Sequence, residues 1–353
     1  MTPLAKYLAA RIRAEGPMTV AAYMADCLLH PTMGYYTTQS PFGAQGDFTT
    51  APEISQMFGE LIGLCIAQTW LDQGSPPAFT LAELGPGRGT LMADVLRATR
   101  GVPGFHAAAQ VVLIEASARL RDIQASTLAP HQVTWADDSA ALPDDAPLFL
   151  IANEFFDALP IRQFVKDPNG WRERLVGLAD DTLAFGLSEA QPSAALDAQF
   201  PDDEPGSLVE ICPQASGHMG EIARRIASHG GAALIVDYGG WQSKGDTLQA
   251  LIAHRFTPPL EQPGRADLTA HVDFHALATA AQPLRAAYTT QGAFLSALGI
   301  EARAAKLAQN LTRGALENHR AAHHRLTDAT EMGSLFKVLG LTRPDAPPLP
   351  GFA

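Results

Sequence analysis

The chain has 353 residues, 46% of them hydrophobic, and carries 25 Lys and Arg against 37 Asp and Glu, a formal net charge of −12. That length and apolar share suffice for one large core or two smaller ones. The acid excess, with no basic cluster beyond Arg119/Arg121 and Arg172/Arg174, argues against a nucleic-acid ligand and permits a basic protein segment as partner. Three scattered cysteines, Cys27, Cys65 and Cys212, form neither a disulfide framework nor a zinc spacing. No apolar run reaches the ~18 residues that would span a bilayer. The N-terminus shows neither a secretory signal nor a mitochondrial presequence, so the expected setting is a bacterial cytoplasm.

Residues 3–14 and 20–29 read as amphipathic helices, the second capped by Thr19. Aromatic anchors Tyr35 and Tyr36 follow, then a glycine-rich loop over 42–53, long enough to suggest function. Pro52 and Glu53 open a helix to about Asp72, with Ile54, Met57, Phe58, Leu61 and Leu64 on its buried side. From Phe79 strands and helices alternate: strands over 79–84, 110–115, 133–135, 148–152 and 232–236, helices over 90–100 and 118–128. The pattern implies a mostly parallel sheet covered by helices, an α/β Rossmann-like architecture. Between 161 and 211 the period shortens to that of antiparallel strands, a β-rich insertion in which 190–205 reads as an acidic surface loop. Residues 247–256 read as a further strand, 267–274 lead into a helix through 280, Thr290 caps another, and 301–325 are helical. The expected division is an N-terminal helical region over 1–75 and an α/β domain over 76–343.

The turn Glu83-Leu84-Gly85-Pro86-Gly87-Arg88-Gly89-Thr90 lies between a buried strand and a helix start. Glycine permits a tight turn, and the free N–H groups of a helix start attract acceptors. A dinucleotide fingerprint wants glycine where Thr90 stands, and a phosphate loop wants Gly-Lys-Ser/Thr; neither is present. The spacing Glu-x-Gly-x-Gly-x-Gly is similar to the first motif of class I S-adenosylmethionine (SAM) methyltransferases. Glu115, ending the next strand, is placed to accept hydrogen bonds from ribose hydroxyls. Trp135, on the third strand, is either an adenine platform or a core tryptophan.

After the fourth strand, Asn153, Glu154 and Asp157 place an amide and two carboxylates near the sheet's carboxyl edge. Carboxylates there could hold a guanidinium and take its proton during transfer. Glu154 and Asp157 share a face if a helical turn starts at this point. Asp237 either lines a substrate channel or turns the chain. His271/His275 and His319/His323 have i, i+4 spacing but no accompanying Glu of a zinc motif, and no metal is expected.

Taken together, residues 46–56, 83–90, 153–160, 231–239 and 266–274 resemble the MidA-like family of class I SAM methyltransferases over about 17–341. The family includes a mitochondrial complex I assembly factor. The resemblance implies a seven-stranded core, SAM as cofactor, and protein-arginine methylation with a respiratory complex I subunit as partner. It carries Glu83, Gly85, Gly87 and Glu115 over as SAM contacts. It also assigns Gly46 and Asp47 to a segment that closes over the cofactor. A non-catalytic assembly chaperone of the same fold and an NAD-dependent oxidoreductase are the alternatives; Thr90 counts against the second.

Overall fold

The computed structural model describes residues 1–38 and 50–352, so Gly46 and Asp47 lie outside the described residues. The chain divides into two compact units.

The larger unit comprises the described parts of Thr49–Phe156 and Val272–Ala353, with Ser216–Trp241. Its strands are β1 (Phe79–Leu84), β2 (Ala109–Ile114), β3 (Val133–Ala136), β4 (Leu148–Asn153), β5 (Gly231–Gly240), β6 (Arg285–Thr290) and β7 (Phe336–Thr342). They lie in the order β6-β7-β5-β4-β1-β2-β3, and the two-residue strand Val272–Asp273 pairs with the end of β5. Neighbours from β5 through β3 are parallel, whereas β7 runs antiparallel to both β5 and β6. β1 and β4 are buried along their whole lengths. They are also where the chain changes direction across the sheet, and ligands of such sheets sit beyond the carboxyl ends at that crevice. This is the seven-stranded arrangement that the resemblance implied, although β6 and β7 were not among the strands read from the sequence.

Helix α1 (Gln56–Asp72) packs on α2 (Thr90–Thr99) through two glycines one turn apart. A Cβ on Gly59 would stand 2.6 Å from Asp94 Cβ, and one on Gly63 2.9 Å from Val95 Cα. Side chains there would push α2, and the turn that precedes it, away. Phe79, Phe105, Phe149 and Trp70 fill the adjoining core with ring centroids 5.0–6.0 Å apart. The expected single helix over 52–72 is two: Ala51–Ile54 ends at Ser55, which is extended at φ −160° and caps Met57 N–H with its hydroxyl at 3.2 Å. Leu64, expected on the buried side, is 47% exposed.

The smaller unit comprises the described part of Met1–Phe48, with Asp157–Ala215 and Gln242–His271. Helices Pro3–Glu15 and Val20–Leu29 are capped by Thr2 and Thr19 hydroxyls. The antiparallel insertion is present as Arg162–Asp167, Gly170–Ala179, Thr182–Leu187 and Leu208–Ile211. Leu8, Tyr23, Met24, Val176 and Leu268 share its main core. The stretch read as an acidic loop contains the helix Ala194–Gln199: Ser193 caps it, and Leu196 and Phe200 pack with Trp171. The strand expected over 247–256 is a hairpin, Gln249–Ile252 and Arg255–Thr257, turning through left-handed Ala253 and His254.

Candidate active site

β1 delivers Glu83 and then the turn. Gly85, Gly87 and Gly89 have φ of 58°, 53° and 81°, the left-handed region that side chains disfavour. Gly85 N–H bonds Ile114 O at 3.0 Å and Gly89 N–H bonds Pro86 O at 2.7 Å, closing the turn. Gly89 is the N-cap of α2 and supplies no side-chain acceptor. Glu83 compensates, because its carboxylate takes the Met92 N–H of that helix's first turn. Burial pushes the Glu83 carboxyl up to about 8, and the Met92 bond only partly offsets it. Its Oε2 is buried with no hydrogen-bond partner among the described residues.

Glu115 stands at the end of β2, 8% exposed. Oε1 accepts Ser117 N–H at 2.8 Å and Oε2 accepts the Gln124 amide at 3.2 Å. Burial raises its carboxyl above the ordinary value despite these bonds and the nearby Arg121. The indole N–H of Trp135 donates to Gln124 Oε1 at 2.8 Å, and the ring packs against the main core. The structure thus draws the glycine turn, Glu115 and Trp135 to one edge of the sheet. Thr90 ties the start of α2 to the helix before α1. Its hydroxyl donates to Glu53 Oε1 at 2.6 Å, while Arg88 lies 3.8 Å from Glu53 Oε2.

β4 ends at Asn153, whose Nδ2 donates to Glu154 Oε1 at 3.1 Å. Asn153 Oδ1 is buried with no partner among the described residues. Glu154 has φ 52° and also accepts the Ala51 N–H at 3.1 Å. No helical turn follows. Asp237, fully buried on β5, takes the N–H groups of Phe155 and Phe156 at 3.2 and 3.0 Å and that of Tyr238 at 3.0 Å. The left-handed backbone at Glu154 lies outside the right-handed helical region, so the expected helical face for Glu154 and Asp157 does not form. Asp157 falls in the smaller unit, 6% exposed, where its carbonyl accepts Ala270 N–H at 2.9 Å. In that unit Tyr36 donates to Asp267 at 3.0 Å, and the charges of Asp267 and Asp157 add to burial in raising the Tyr36 phenol.

Three participants escape a reading of the sequence. Gln124 is one. Phe155 lies over the turn: a Cβ on Gly85 would meet its ring at 2.8 Å. Its other edge meets His218 at 5.4 Å, and His218 bonds the Ser139 hydroxyl at 2.8 Å. No short-range pattern marks Gln124 or His218, since their partners lie far along the chain. Among the described residues no three His, Cys, Asp or Glu side chains converge as a metal site, and no helix is long and apolar enough to cross a membrane.

A parallel sheet with this strand order, a left-handed glycine turn after its first strand and an acid ending its second define a nucleotide-type site of the class I methyltransferase kind. Residues 61–290 match a family of S-adenosyl-L-methionine-dependent methyltransferases. The chain is 41% identical over 332 residues to mouse protein arginine methyltransferase NDUFAF7, mitochondrial, covering 86% of this chain and 76% of that protein. Against the human protein of the same name the identity is 39% over 332 residues, covering 86% and 75%. A crystal structure of a Burkholderia thailandensis protein bound to S-adenosyl-homocysteine superposes with a TM-score of 0.85 at 29% identity, covering 99% of this chain and 94% of that one. The chain belongs to this family of SAM-dependent methyltransferases, the MidA-like family that its motifs resemble.

Proposed function

We propose that the chain is a SAM-dependent protein-arginine N-methyltransferase whose substrate is a subunit of respiratory complex I or a similar protein, and that it works in a bacterial cytoplasm. The observation that carries the cofactor assignment is Glu83: a buried carboxylate with an unmatched oxygen, beside three left-handed glycines. That environment fits an ammonium lying along bare backbone, as the amino-acid end of SAM would present. Glu83, Gly85 and Gly87 would hold that end. Glu115 accepts the Ser117 N–H and the Gln124 amide and would turn its remaining lone pairs to ribose hydroxyls, with Trp135 towards the base. Gly46 and Asp47 are kept as proposed cofactor contacts.

When bound, SAM supplies an electrophilic methyl group on a good leaving group. The protein must align the acceptor and remove its proton. A guanidinium is protonated at neutral pH and is recognised by carboxylates. Glu154 is proposed as the holding acid, its Oε1 fixed by Asn153 and Ala51 N–H. Asp157 is proposed as a second catalytic acid. The names of the relatives support arginine as the acceptor.

The test is calorimetric titration with SAM and S-adenosylhomocysteine, NADH serving as control. Mass spectrometry of complex I subunits incubated with enzyme and SAM would follow. Saturable SAM binding with methylarginine formation is expected. A folded protein that binds no SAM would move the reading to an assembly chaperone.

A further inference from the structure

Gln124, on α3 (Ala118–Thr127), is wholly buried where three segments meet. Its Nε2 donates to Gly87 O at 2.9 Å and to Glu115 Oε2 at 3.2 Å, and its Oε1 accepts from Trp135 Nε1 at 2.8 Å. The partners fix the amide's orientation. An indole N–H only donates and a carbonyl only accepts, so a flipped amide would set donor against donor and acceptor against acceptor. A Cβ on Gly89 would stand 3.6 Å from Gln124 Cγ, so the side chain lies close beside the turn. One amide therefore fixes the turn's second glycine, the strand-end acid and the tryptophan of the next strand against each other.

We propose that Gln124 is a positioning residue for the cofactor: it sets the carboxylate of Glu115 and the carbonyl of Gly87 without being a contact itself. This rests on the assignment of Glu115 and the glycine turn to SAM. Replacing Gln124 by an apolar side chain of similar length leaves the Gly87 carbonyl and the Trp135 N–H unpaired and lets the Glu115 carboxylate rotate. A glutamate at 124 places a carboxylate against that of Glu115. Among the described residues Arg121 also stands close by, bonded to the Glu115 carbonyl and paired with the Asp137 carboxylate. Two adjacent carboxylates raise each other's pKa, so the new acid regains a proton, and with it a donor, as pH falls.

Full-length variants would be titrated with SAM by calorimetry at pH ~6 and ~8, each affinity divided by that of the wild type at the same pH. Gln124→Met should weaken binding about 10- to 100-fold at both, the range of a hydrogen bond to a charged group. Gln124→Glu should be as weak at the higher pH and recover towards wild type at the lower one, a response that mere loss of packing would not give. In 1H–15N spectra the Trp135 indole signal, identified with Trp135→Phe, should shift in Gln124→Met. Glu115→Ala separates the positioning role from the cofactor assignment beneath it. If it leaves SAM affinity unchanged, the cofactor assignment of this edge fails. If it weakens SAM while folded Gln124→Met binds as wild type, only the positioning role falls. Should Gln124→Met not fold by circular dichroism, Gln124→Glu decides: affinity independent of pH relative to wild type overturns the proposal.

Discussion

Glu60 on α1 and Glu83 at the end of β1 are 4% and 3% exposed, and the two regions treat them in opposite ways. Burial would raise the Glu60 carboxyl, but the guanidiniums of Arg303 and Arg97 more than offset this and hold it below the ordinary value. Arg303 reaches both oxygens, at 2.7 and 2.9 Å. Glu83 receives only a backbone N–H, and its carboxyl is pushed up to about 8. Both side chains are shielded from solvent, but Glu83 lies deeper in the protein, and only Glu60 meets an internal cation. An acid whose cation comes from its own chain joins helices together. An acid left without one destabilises the empty protein in its ionised form and favours a ligand that brings the missing charge.

The largest expected effect comes from the turn that presents Glu83 to a ligand. Gly87→Val forces a β-branched residue into left-handed backbone and should weaken SAM binding ~100-fold or more; unchanged affinity by calorimetry would remove the cofactor assignment. Next, Glu154→Gln and Asp157→Asn test acids outside this pair. Each should lower kcat ~100-fold, in the usual range for a proton acceptor, with SAM affinity nearly unchanged. Full activity in either variant strikes that residue from the catalytic set.

Glu83→Gln sharpens the contrast directly, with SAM affinity falling ~30-fold for loss of a charged partner. Its pH signature is specific. The folded pKa of about 8 lies above the ordinary 4.5, so the native state holds the proton more tightly than the unfolded chain. The contribution is complete below the unfolded value and is lost as pH rises through the folded one, on the order of 5 kcal/mol. Cofactor-free wild type should therefore lose melting temperature from about pH 5 to about pH 8 relative to Glu83→Gln. SAM binding near neutrality should release close to one proton, read from heats in two buffers, and the variant should release none. Identical profiles in the two proteins would overturn the contrast. The smallest effect belongs to Glu60→Gln, a loss of ~1–2 kcal/mol given its partly exposed arginines. Its SAM affinity should match wild type; a large drop would dissolve the distinction between the two acids.

Features written in neighbouring residues were legible in the sequence. Phe79–Leu84 is an apolar run, the glycines that follow demand left-handed backbone, and Glu115 closes the next apolar run. Thr19 and Thr290 were readable as caps because a cap acts within three residues. What escaped depends on distant groups. Asp237 claims the amides after Glu154 from 81 and 82 residues away. Gln124 meets Gly87 across 37 residues. Arg285–Thr290 has an alanine pair and two threonines, too weak an alternation to announce a strand until β7 lies beside it.

The placement of β7 bears on how the protein comes into being. β5 and β6 both leave the ribosome before Phe336–Thr342, yet that last strand lies between them and bonds to both. Until it arrives, the nascent chain carries an apolar strand, β5, with one flank unpaired, an invitation to aggregation. Completion of the sheet is therefore deferred until Phe336–Thr342 has been made, and a chain stalled before residue 336 keeps that flank open.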